Sequence, residues 1–161
     1  MWGLGCDPFD AAAVRRLLDL KQRPPAKGLI LIAATLEQLS TLIDLDALPA
    51  ASRAAVLATW PSPHTWSLPC TERVPVILRG EDATLAARVT THPVAAALCH
   101  AFGSPLVSTS ANLAGDPPPR TQQDLDSRVL SGLAGLVAFD TGGLDGPTPI
   151  RDARSGDLLR R

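Results

Sequence analysis

The sequence predicts an α/β fold in layers around a mixed sheet, and three features predict it. Apolar runs of strand length alternate with amphipathic helical segments along the whole chain. Prolines crowd the middle, and two short strand-like segments close the chain. Both features favour a mixed sheet over a purely parallel one.

In chain order, MWGLGCDP starts inside a glycine turn, and no strand is expected before the first helix. Asp10 to Lys21 places Val14, Leu17, Leu18 and Lys21 at helical spacing, with Asp10 as N-cap. GLILIAAT is a continuous apolar run, expected as a central strand buried on both faces. Thr35 with Gln38 resembles a capping box, opening a helix through Ile43. A second helical segment, Ala50 to Trp60, ends against the proline-rich PSPHTWSLP. A strand follows at Thr84 to Thr90, then a helix from Pro93 to Phe102, then the strand PLVST. Thr121 with Asp124 marks another helix start, LAGLVAFD reads as a strand, and IRDAR with DLLRR reads as a terminal pair.

With 161 residues, 45% of them hydrophobic, the chain can bury one core, so a single domain over residues 1–161 is expected. A net charge of -1 supplies no global positive field to draw it onto nucleic acid or a membrane, so any anion site must be local. Cys6, Cys70 and Cys99 are odd in number and widely spaced, which argues against a disulfide framework or a metal knuckle. A cytoplasmic protein is the expectation; no apolar run approaches the ~20 residues of a membrane span.

Two stretches stand out chemically. KQRPPAK holds both lysines of a chain that has thirteen arginines. Its Lys21, Arg23 and Lys27 follow a helix whose continuation two prolines prevent. The plain alternative is a solvated helix end, where cations favour the macrodipole. PLVSTSANLAG ends an apolar strand in Ser108, Thr109, Ser110 and Asn112. The C-terminal edge of an α/β sheet is where ligands bind, although such side chains also serve turns. The loop DTGGLDGPTPIRD can turn sharply or approach a ligand. His64, His92 and His100 have no metal-ligand spacing, and no metal ligands are assigned.

Taken in order, KQRPPAKGLILIA, PSPHTWSLP, LAARVTTHP, PLVSTSANLAG and GGLDGPTPIRD resemble the YrdC-like threonylcarbamoyl-AMP synthase family over essentially the whole chain. The resemblance implies a twisted mixed sheet flanked by helices, with a concave substrate crevice. It implies condensation of L-threonine, bicarbonate or CO2, and ATP into threonylcarbamoyl-AMP and pyrophosphate, with magnesium accompanying the ATP. Partner proteins would pass the threonylcarbamoyl group to a tRNA adenosine. Carried across residue by residue, Lys21 and Arg23 become the catalytic residues, holding the triphosphate together with Lys27. Ser110, Arg160 and Thr84 join them on the nucleotide. Arg88 would receive the threonine carboxylate, with Ser108 and Thr148 completing the pocket. Relative to the family, Met1 falls where a first strand and a Pro-Thr-x-Thr segment have just ended, so an N-terminally truncated domain with an unpaired apolar strand edge is expected. Ile32 stands where many longer members carry a histidine, and Pro149 interrupts a usual Ser-Thr. A competing expectation is an RNA-binding module of the same fold without catalysis. The charge balance disfavours it beyond weak RNA binding. A carbamoyl-transfer accessory domain is a third.

Overall fold

A computed structural model describes residues 1–79, 83–139, 141 and 146–160. Seven strands form one mixed sheet: β1 (Gly3–Leu4), β2 (Ile30–Ala33), β3 (Thr65–Pro69), β4 (Thr84–Val89), β5 (Leu106–Ser110), β6 (Ile150–Asp152) and β7 (Leu158–Arg160). Their order across the sheet is β1-β5-β2-β4-β3-β6-β7. The β2–β4 and β3–β6 pairs are parallel and the other pairs antiparallel. The helices are α1 (Ala11–Lys21), α2 (Ala50–Thr59), α3 (Pro93–Phe102) and the short α4 (Ser127–Ser131).

Local chemistry explains the helix ends. The Asp10 carboxylate accepts from the backbone N–H groups of Ala12 and Ala13, supplying partners that the first turn of α1 lacks. Val14, Leu17, Leu18 and Lys21 are the buried residues of α1, as their spacing predicts. At its end, Gln22 adopts the left-handed conformation (φ 52°), which turns the chain into Pro24 and Pro25. Pro93 occupies the first turn of α3, where its missing N–H costs nothing, and Gly103 closes the helix at φ 77°.

The register sorts the sheet into two unlike faces. On one, Leu31, Ala33, Trp66, Leu68, Leu85, Ala87, Val89 and Val107 are all buried, and they belong to the core. On the other, paired positions line up Ile30 with Ser108 and Ala86, Ile32 with Arg88, Pro69 with Thr84, and Ile150 with Arg160. Directly paired residues share a face, so the second face carries hydroxyls and guanidiniums where the first carries hydrocarbon.

Five expectations are corrected. A two-residue strand, β1, does precede α1, and it pairs with β5 at the sheet edge. The segment from Thr35 forms only a 3-10 turn, Glu37–Leu39. Gln38 is drawn away from capping: its side-chain oxygen accepts from Ala34 N–H, and its amide donates to the Cys99 carbonyl of α3. PSPHTWSLP contains β3, all five of whose residues are buried. Its prolines lie before the strand and at its last residue, where a ladder tolerates them. LAGLVAFD forms no strand over its described residues 133–139, where Leu136, Val137 and Phe139 are 42%, 54% and 60% exposed. The Thr121–Asp124 capping box is present, but it opens a 3-10 turn that leads into α4 rather than one continuous helix. Within DTGGLDGPTPIRD, residues 140 and 142–145 lie outside the described residues. Cys6, Cys70 and Cys99 are free thiols. Among the described residues no helix is long and apolar enough to cross a membrane.

Candidate functional site

The fold gathers the chemistry at the polar face of the sheet and at the C-terminal ends of α1 and β5. Lys21 is 3% exposed although it is the last residue of α1. Its ammonium donates to the carbonyls of Ser110 and Asn112, the latter at 2.7 Å, and to Asn112 Oδ1 at 3.4 Å. Its own carbonyl accepts from Ala114 N–H at 2.9 Å. Where β5 ends, the ladder no longer uses the strand's carbonyls, and the ammonium takes that part. Lys21 therefore braces the SAN turn from both its ends. Asn112 completes the brace: its Oδ1 accepts the Ser110 hydroxyl, and its Nδ2 donates to the carbonyls of Leu113 and Asp116.

Arg23, two residues beyond α1, donates from Nη2 to the Gly28 carbonyl at 3.1 Å and to the Lys27 carbonyl at 3.4 Å. Its buried Nε has no partner among the described residues. Lys27 is exposed at the end of a 3-10 turn, and its carbonyl rather than its ammonium meets Arg23.

A second group forms across β3, β4, β6 and β7. Arg88 Nη1 donates to Thr148 Oγ1 at 2.6 Å, and Arg88 Nε is buried without a partner among the described residues. Arg160 Nη2 reaches the Thr148 carbonyl at 3.4 Å. Thr148 thus joins two guanidiniums, through its hydroxyl and its carbonyl. Ser108 lies on the same sheet face, opposite Ile30. Thr84 accepts the Ser67 hydroxyl at 2.9 Å, near the other end of β4 from Arg88. Two residues that the sequence reading assigned no role belong to the arrangement. Asn112 belongs to the polar quartet that the sequence displays, whereas Thr65, whose Oγ1 lies 3.2 Å from Thr148 Oγ1, lies in a proline-rich segment with no local signal of a role.

The electrostatics are those of neighbouring cations. Arg88 is held below its usual pKa by burial and then by Arg160, and Arg160 by burial and then by Arg23. Burial likewise lowers Arg23. Arg160 thus lies within electrostatic reach of both Arg88 and Arg23. The ion pairs found among the described residues, Arg53–Asp46 and Arg128–Asp126, lie elsewhere. Cations brought together without carboxylates are unfavourable unless a ligand supplies the negative charge. Among the described residues no cluster of His, Cys, Asp and Glu could hold a metal ion.

Lys21 gives this site a pH dependence. Burial, and then Arg23, lower its pKa from 10.5 to about 8. Between pH 8 and 10.5 the unfolded chain binds more protons than the folded one, so this group makes stability rise with pH across that window. A polyanion nearby favours the charged form, so its affinity should fall as pH rises through 8. At pH 8.5, ATP binding is expected to take up protons, seen calorimetrically as a dependence on buffer ionisation enthalpy. Lys21→Arg, with a guanidinium that stays charged, should abolish the uptake. Binding without proton uptake in the wild-type chain would contradict this.

The chain is matched over residues 1–161 by a family model for Sua5, YciO and YrdC, described as "Telomere recombination". It is similar to a threonylcarbamoyl-AMP synthase of Xanthomonas euvesicatoria pv. vesicatoria (strain 85-10). The two are 55% identical over 160 residues, which span 99% of this chain and 86% of that protein. Among solved structures it resembles P. abyssi Sua5 complexed with L-threonine, with a TM-score of 0.83 and 28% identity over 93% of this chain and 44% of that one. It also resembles E. coli YciO, with a TM-score of 0.79 and 26% identity over 99% of this chain and 77% of that one.

Proposed function

The chain belongs to the Sua5, YciO and YrdC family, and on that premise we propose that it is a threonylcarbamoyl-AMP synthase whose polar sheet face joins two anionic substrates. The observation that carries the reading is that Arg160 lies within electrostatic reach of both Arg23 and Arg88, whose buried Nε atoms have no partner among the described residues. Those donors suit ligands that are carboxylates and phosphates, which guanidinium groups bind through parallel hydrogen bonds.

In this reading Arg23 and Arg160 neutralise the triphosphate of ATP, and Lys27 adds charge from the exposed turn. Lys21 acts by adding positive charge and by bracing the turn that presents Ser110. Thr84 is assigned to the nucleotide as well. Arg88, Ser108 and Thr148 form the amino-acid pocket, with Arg88 on the threonine carboxylate. Threonine and bicarbonate give a carbamate and water. A carbamate oxygen then attacks the α-phosphorus while the bond to the β-phosphate breaks, and pyrophosphate leaves with the electron pair. Both reactants are anions, so charge neutralisation and alignment supply most of what the protein must provide. Magnesium belongs to the substrate here, travelling with the triphosphate. The product is a reactive mixed anhydride, so tRNA-modifying partner proteins in the cytoplasm are its proposed users. The test is pyrophosphate release from ATP. The reading expects release that requires both L-threonine and bicarbonate, and release indifferent to either would sink it.

A further inference from the structure

Thr65 is 1% exposed, and it holds the residue 148–149 segment twice. Its backbone N–H donates to the Pro149 carbonyl at 3.2 Å, and its Oγ1 lies 3.2 Å from Thr148 Oγ1. It sits on β3 opposite Ile150 of β6, one position beyond the Trp66–Ala87 pair, which sets it level with Arg88 on β4.

The direction of the Thr65–Thr148 hydrogen bond follows from counting protons. A hydroxyl has one proton and two acceptor sites, whereas a guanidinium N–H can only donate. Thr148 Oγ1 therefore accepts from Arg88 Nη1, at 2.6 Å. If Thr148 gave its proton to Thr65, the proton of Thr65 would be left in a buried place, because Thr148 Oγ1 is the only partner of that hydroxyl among the described residues. Stranding a buried donor is costly. With Thr65 as donor the count closes: Thr148 accepts from both Arg88 and Thr65, its two acceptor sites are filled, and its own proton is the valence left over. Thr148 is only partly buried, so that proton is available to an acceptor from outside the chain.

We infer that Thr65 is a positioning residue, which turns the Thr148 hydroxyl into an obligate donor to the amino-acid substrate's carboxylate beside Arg88. The inference rests on the proposed reading of that pocket. It also explains why a threonine, rather than an apolar residue, occupies a fully buried place on the polar face of the sheet.

The experiment compares Thr65→Val, which keeps the shape and loses the hydroxyl, with Thr65→Ser, which keeps the hydroxyl. KM for L-threonine, KM for ATP and the melting temperature are measured for each. Thr65→Val is expected to raise the threonine KM about tenfold, the scale of one hydrogen bond to a charged group, while leaving the ATP KM within about twofold. Thr65→Ser should restore the threonine KM. If Thr65→Val fails to fold, Thr65→Ala, which also loses the hydroxyl, provides the same reading, and the same selective rise in threonine KM is expected of it. An unchanged threonine KM, an equal rise for both substrates, or a Thr65→Ser variant as impaired as Thr65→Val would overturn the assignment. Wild-type protein that neither binds nor uses L-threonine would overturn the pocket reading and this role together. Wild-type use of threonine alongside an indifferent Thr65→Val would overturn the role alone.

Discussion

Arg88→Lys is expected to retain ATP binding and to lose most threonine-dependent pyrophosphate release, on the order of a hundredfold. Arg88 already commits Nη1 to Thr148 and holds a buried Nε without a partner among the described residues, so its fork is aimed before any ligand arrives. A lysine could supply the charge but not two parallel donors, and it could not both hold Thr148 and meet a carboxylate in a set orientation. The carbamate would then no longer lie in line with the α-phosphate. Turnover at saturating ATP and bicarbonate, together with calorimetric ATP binding, checks this. A lysine variant that uses threonine as well as the wild type would move the carboxylate site away from Arg88.

Arg23→Ala should weaken ATP binding by about 2 kcal/mol, roughly thirtyfold, the scale of a charge-assisted contact in a partly desolvated place. The guanidinium rests on the carbonyls of Gly28 and Lys27, which aim it while Nε has no partner among the described residues. Burial makes its charge costly until an anion arrives, so the ligand recovers that cost on binding. Threonine affinity, measured without ATP, should change little. Unchanged ATP affinity in Arg23→Ala would remove Arg23 from the triphosphate site.

The parts of the fold legible in the sequence are those whose causes are local. Asp10 caps α1, its apolar stripe is the buried one, and α3 runs from Pro93 to Phe102 as its proline and Gly103 require. β3 escaped because prolines at positions 61, 63 and 69 read as a break, although they fall outside the ladder's demands. The helix expected from Thr35 failed for a tertiary reason, since Gln38 is used by α3. LAGLVAFD has the composition of a strand, but composition does not supply a pairing partner, and its described residues leave Val137 and Phe139 exposed.

The site divides in the same way. KQRPPAK and STSAN announced themselves by residue type, yet the sequence could not say that the Lys21 ammonium is engaged by the turn carrying Ser110 and Asn112. Arg88, Thr148 and Arg160 come from separate strands and a loop, brought together by the order β4-β3-β6-β7. No spacing along the chain encodes that meeting; the family resemblance suggested it. Thr65 had no local signal at all, because its role lies in a buried hydroxyl pair closed across 83 residues.

The central claim is that one crevice joins an amino-acid carbamate to the α-phosphate of ATP. Its most direct test is the identity of the product formed from ATP, L-threonine and 13C-labelled bicarbonate, read by mass spectrometry of the nucleotide fraction. The account predicts an AMP conjugate carrying one threonine and one labelled carbon, formed in step with pyrophosphate. An unlabelled threonyl adenylate, or no threonine-bearing nucleotide at all, would contradict it.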